Sequence, residues 1–113
     1  MIRTNHQIAY DDRDGVLVIR LSGEIDHHSA VNVRTHIDEK LLAERPARVC
    51  LDLSAIDFMA SSGLGLIMGR YSLVRRYGAN FTVIDPTPAA KKMIDLAGME
   101  RMIPIHYTHS ERK

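Results

Sequence analysis

The sequence predicts one α/β domain over residues 1–113, built on a mixed, mainly parallel β-sheet that opens with an antiparallel hairpin and carries three or more helices. Three observations lead there. Short apolar runs alternate with longer segments whose apolar residues recur every three or four positions, the mark of strands interleaved with amphipathic helices. The first two runs are separated only by a turn signal, whereas the later ones are separated by helical segments, and strands joined through helices pair in parallel by right-handed crossovers. A length of 113 residues suits one domain, with no linker, repeat or low-complexity stretch to divide it.

The elements follow in order. Gln7 to Tyr10 and Val16 to Leu21 read as hairpin strands joined by Asp11-Asp12-Arg13-Asp14-Gly15, whose Asp-Gly step favours a turn. The second strand is nearly all apolar, as expected of an inner strand covered on both faces. After the loop Glu24-Ile25-Asp26-His27-His28, Ser29 reads as the N-cap of a helix whose apolar stripe is Ala30, Val33, Ile37 and Leu41, ending before Pro46. Ala47 to Leu53 supplies a third strand, Asn80 to Ile84 a fourth and Ile103 to Tyr107 a weaker fifth. Between them, one helix runs from Ser62 to Tyr77 and stops at Gly78; another has Thr87 as cap, Pro88 at its first position and Gly98 at its end. The tail His109–Lys113 is polar and expected to fray.

Composition excludes several function classes. Fifteen basic and fourteen acidic residues give a net charge of +1, so no one-sign field advertises nucleic acid or an anionic membrane. The single cysteine, Cys50, has no partner within the chain, which fits a reducing compartment, and in Val49-Cys50-Leu51 it reads as a small buried hydrophobe. The opening Met1–His6 lacks an apolar signal core, and no stretch approaches the ~20 apolar residues of a membrane span, so the expected location is the cytoplasm. Six histidines show no ligand spacing, and neither a metal nor another cofactor is expected. Met59, Met68, Met93, Met99 and Met102 suit either an adaptable groove or the core, and Met68 and Met93 are assigned to the core. Arg70, Arg75 and Arg76 read as a solvated helix face.

The segment that carries chemistry is Asp57-Phe58-Met59-Ala60-Ser61-Ser62-Gly63-Leu64-Gly65-Leu66-Ile67-Met68-Gly69-Arg70, at the C-terminal end of the third strand, where parallel sheets meet their ligands. A serine opening a helix caps the first turn, and the same unpaired N–H groups would accept a phosphate ester. Gly63 leaves that turn bare for close approach of a kinase, whereas Gly65 and Gly69, four apart, suit close packing. The glycine spacing matches neither the dinucleotide fingerprint nor a Walker A loop, and Ser61-Ser62-Gly63 is not the hydrolase elbow.

Gly23-Glu24-Ile25-Asp26-His27-His28-Ser29-Ala30, together with Phe58 through Tyr71, the Pro86-Thr87-Pro88-Ala89 helix entry and the closing Ala97-Gly98-Met99, resembles the anti-sigma factor antagonists of the STAS family, in particular the sporulation type, over nearly the whole chain. The resemblance implies a STAS fold and a regulatory protein that is not an enzyme. It implies that Ser61, with Ser62 as the alternative, is phosphorylated by an ATP-carrying serine kinase that doubles as an anti-sigma factor. The unphosphorylated antagonist binds that kinase and frees a sigma factor; phosphorylation discharges it, and a serine phosphatase resets it. Asp26, His27, Ser61, Ser62, Gly63, Leu64 and the exposed side of the helix are expected to form the partner surface, with no nucleic acid or membrane involved. The family usually carries Asp immediately before the two serines, where this chain has Ala60. That change slows phosphorylation, alters partner binding, or relieves repulsion of the phosphate. The other readings are a STAS module of a different partner-switching pathway, such as general stress or secretion, and a phosphate- or nucleotide-binding enzyme.

Overall fold

The computed structural model describes residues 6–108, and the expected fraying of His109–Lys113 lies outside them. The entry hairpin pairs β1 (Ile8–Arg13) antiparallel with β2 (Val16–Ile25). Asp14 and Gly15 alone make the turn, with φ of 51° and 83°, the two positive values that a two-residue hairpin of matching twist requires. The connection is shorter than expected because Asp11, Asp12 and Arg13 continue the edge strand opposite Val18, Leu17 and Val16. Charged residues are at home on an edge, where they discourage further strand pairing.

Next come α1 (His27–Glu44), β3 (Arg48–Met59), α2 (Ser62–Arg76), β4 (Asn80–Ile84), α3 (Pro88–Ala97), a short 3-10 turn at Met99–Arg101, and β5 (Ile105–His106). The N-cap of α1 is Asp26, not Ser29. Asp26 Oδ1 accepts the Ser29 amide at 2.8 Å and the Ser29 hydroxyl accepts the Asp26 amide at 3.0 Å, a reciprocal capping box that sets the cap three residues before the expected one. Thr87 caps α3 as expected, accepting the Ala90 amide at 3.4 Å, and Gly98 ends it at φ 65°.

The strands lie in the order β1-β2-β3-β4-β5, all parallel except β1. Right-handed crossovers that step in one direction put their helices on one side, so α1, α2 and α3 cover a single face. Leu17, Ile19 and Leu21 of β2, with Leu51, Leu53 and Val83, are buried against Val33, Ile37 and Leu41 of α1, Ile67 and Val74 of α2, and Ile94 of α3. The expectation that β2 is covered on both faces is therefore corrected: Val18 and Cys50 are only half-buried on the other face. Arg20 also stands there, with its Nε donating to Asp52 Oδ2 at 3.0 Å.

Candidate functional site

Both β2 and β3 run further than their apolar runs suggest, and this extension builds the site. The register slips between Arg20 and Ser22 and again between Gly23 and Glu24, so β3 absorbs two extra residues and the pairing continues to Glu24 opposite Phe58 and Ile25 opposite Met59. Gly23, at φ 78°, allows β2 to follow. Ala60 N then donates to Ile25 O at 2.8 Å, and the chains part. One enters α1 through Asp26 and the other enters α2 through Ser61, so two helix N-termini open side by side at the C-terminal edge of the sheet.

Ser61 is exposed at the N-cap position with φ −59° and ψ −26°, already helical, and its side chain makes no capping bond. Capping is therefore not what the hydroxyl does. Of the first-turn amides expected to await a phosphate, two are occupied: Gly63 N donates to Ala60 O at 2.9 Å and Leu64 N to Ser61 O at 3.0 Å. Ser62 is half-buried, its Oγ shielded from solvent without a hydrogen-bond partner among the described residues. Of the two serines, Ser61 is the one a transferase can reach.

Gly63 is buried rather than open to a kinase. A Cβ there would lie 2.3 Å from Met59 Cγ and 2.7 Å from Met59 Sδ, so glycine lets the first turn of α2 close onto the end of β3. Gly65 and Gly69 reverse the expectation in the other direction: a Cβ at either meets nothing within 4 Å, so neither is a packing glycine. Leu64 is half-buried against the core. His27 and Asp26 are exposed at the head of α1. Met59 and Met99 belong to the core, Met68 and Met93 pack partly against it, and Met102 is exposed.

Arg70 is not on a solvated face. Its side chain is 7% exposed, with Nε 2.7 Å from Asp38 Oδ1, Nη2 donating to Asp38 Oδ2 at 3.3 Å and Nη1 to Leu66 O at 3.3 Å. This pair ties α2 to α1. Because Asp38 is 31% exposed and can rehydrate, the two truncations should differ. Asp38→Ala strands a buried guanidinium and is expected to cost about 1–3 kcal/mol, more than Arg70→Met, as urea melts would show.

The Ser29 amide, followed by the Ser29 hydroxyl, holds the Asp26 carboxyl below its ordinary range. A carboxylate lowered on folding stabilises fully above its unfolded pKa, about 3.9, and that contribution fades as pH falls through the lower folded value. Thermal melts should therefore show a smaller loss for Asp26→Ala than for the wild type between pH 5 and pH 2, about where acid protonates such caps. Equal losses would contradict the capping role.

Among the described residues, no three His, Cys, Asp or Glu side chains gather to hold a metal ion, and no helix is long and apolar enough to cross a membrane.

The STAS domain family model matches residues 7–112. The anti-sigma F factor antagonist of Paenibacillus polymyxa is 39% identical over 102 residues, covering 90% of this chain and 87% of its own length. An anti-sigma factor antagonist from Mycobacterium paratuberculosis shares the structure with a TM-score of 0.79 at 31% identity, over 88% of this chain and 83% of that one. The anti-sigma factor antagonist SpoIIAA in its unphosphorylated form shares the fold, with a TM-score of 0.74 at 24% identity over 87% of this chain and 86% of that one. A sheet entered by one antiparallel hairpin, two helix heads side by side at its edge and relatives of this kind lead to one conclusion: the chain belongs to the STAS domain family, among its non-enzymatic anti-sigma factor antagonists.

Proposed function

We propose that this chain is a single cytoplasmic STAS domain, spanning residues 1–113, that binds an anti-sigma factor and is discharged when that partner, acting as an ATP-dependent serine kinase, phosphorylates Ser61. A serine phosphatase returns it to the binding state. The observation that carries this reading is the exposed, uncapped Ser61 hydroxyl beside the head of α1. Asp26, His27, Ser61, Ser62 and Leu64 form the partner face, while Gly63 serves it from below by holding the turn against Met59.

Magnitudes decide how the switch acts. A phosphoserine adds about 1.5–2 negative charges, and near a helix N-terminus a negative group is favoured by about 0.3–1 kcal/mol, so the fold survives it. The same charge enclosed in an interface without a matched cation costs several kcal/mol. Phosphorylation therefore ends docking, not folding.

Incubation with the cognate kinase and ATP, followed by mass mapping, tests the reading. One phosphate on Ser61 is expected; a phosphate on Ser62, or none, rejects the assignment. The relatives include antagonists of anti-sigma F and of anti-sigma-B factors, and the identity of the kinase that co-purifies decides between sporulation and another partner-switching pathway.

A further inference from the structure

Gly65 and Gly69 pose a physical question. Both have helical backbones without positive φ, and a Cβ at either would meet nothing within 4 Å. Neither turn geometry nor packing asks for glycine there, and glycine inside a helix is unfavourable relative to alanine. The space they leave open is a groove of about 310 Å³ between α1 and α2. Its apolar lining comes from Ala30, Val31 and Leu66, and Val31 is 48% exposed, an apolar side chain off the buried stripe of α1. Ser62, whose shielded Oγ has no hydrogen-bond partner among the described residues, lines it as well.

The charges around this groove have one sign. Arg34 and Arg70 line it beside the His27 imidazole, with no carboxylate among the lining residues. Arg70 is committed to Asp38, so exposed Arg34 is the lining cation left to meet negative charge, and the exposed His27 imidazole beside it offers a ring nitrogen as a hydrogen-bond partner.

We propose that the α1–α2 groove receives a segment of the anti-sigma partner in which acidic side chains flank a small apolar residue. The apolar residue enters the space over Gly65 and Gly69, and the acids meet Arg34 and His27. This deepens the antagonist reading and rests on it. It also links the groove to the switch, because Ser61 directly precedes Ser62 in the groove wall, and a phosphate there repels the same acidic segment.

Titration of the cognate anti-sigma factor, loaded with a non-hydrolysable ATP analogue so that Ser61 stays unphosphorylated, against wild type, Arg34→Glu, Gly69→Leu and Ser61→Asp tests it. Arg34→Glu is expected to weaken binding by about tenfold or more at roughly 50 mM salt, with the deficit shrinking at about 500 mM as screening sets in. Gly69→Leu should weaken binding to a similar degree without that salt dependence. Gly65→Ala and Gly69→Ala should melt a few degrees above wild type, roughly 2–6 °C each, because nothing in the fold opposes the added methyl. Wild-type affinity in either Arg34→Glu or Gly69→Leu, with Ser61→Asp still impaired, rejects the groove and leaves the antagonist reading standing. A wild type that does not bind the anti-sigma factor rejects both. Self-association of the wild type that Gly69→Leu abolishes would make a second copy the occupant and overturn the proposal, as would a lower melting temperature in both alanine variants.

Discussion

Ser61→Asp is expected to weaken binding of the anti-sigma factor by roughly 100-fold or more, while Ser61→Ala stays within about threefold of wild type and cannot be discharged by kinase and ATP. The asymmetry follows from where the hydroxyl stands. Ser61 makes no capping bond, so alanine removes nothing the fold uses. Aspartate places a full charge at the head of α2, where the helix itself welcomes it by about 0.3–1 kcal/mol. Its thermal midpoint should therefore equal or exceed that of the wild type, and this separates the effect from unfolding. Enclosure of that charge by a partner costs several kcal/mol, and each ~1.4 kcal/mol is tenfold in affinity. Titration calorimetry on the two variants, with melts run alongside, gives both readouts. Equal affinities for Ala and Asp would remove Ser61 from the interface.

The order of strands and helices was legible in the sequence because it rests on local signals: apolar period, Pro88 at a helix start, Gly98 at a helix end. Nearness of Asp26 to Ser61 was legible only through family likeness. Its physical cause, the continued pairing of Glu24 with Phe58 and Ile25 with Met59 past two register slips, lies in stretches interrupted by Gly23, Ser54 and Asp57 that read as loops. The cap of α1 was misplaced because Asp26 and Ser29 are both good capping residues and reciprocate, so residue type alone does not say which is outside. Arg70 was misread because its counter-ion Asp38 lies 32 residues away, on another helix. The glycines exchanged roles for a similar reason: spacing puts Gly65 and Gly69 on one face but says nothing of whether that face meets a neighbour. The cap is a local ambiguity, whereas Arg70 and the glycines depend on contacts between elements, and the α1–α2 groove is made by those same contacts.

Gly63→Ala is expected to destabilise the domain by about 1–3 kcal/mol, although the same change at Gly65 and Gly69 on the same helix stabilises it. The new methyl would stand 2.3 Å from Met59 Cγ, an atom close to the backbone of a side chain only 3% exposed, and 3.5 Å from Ile25 Cγ2. Relief requires Met59 to leave its position in the core or the first turn of α2 to lift off the sheet. The second route moves Ser61, two residues upstream, so phosphorylation by the kinase should slow more than the loss of stability explains. A double-mutant cycle separates the causes. Met59→Ala alone leaves a cavity, with a cost of about 2–5 kcal/mol, whereas in Met59→Ala/Gly63→Ala the added methyl enters part of the space that Cγ and Sδ vacate, and the double variant should be more stable than additivity predicts. Additive losses within about 0.5 kcal/mol would show that the Met59–Gly63 contact is not what places the acceptor.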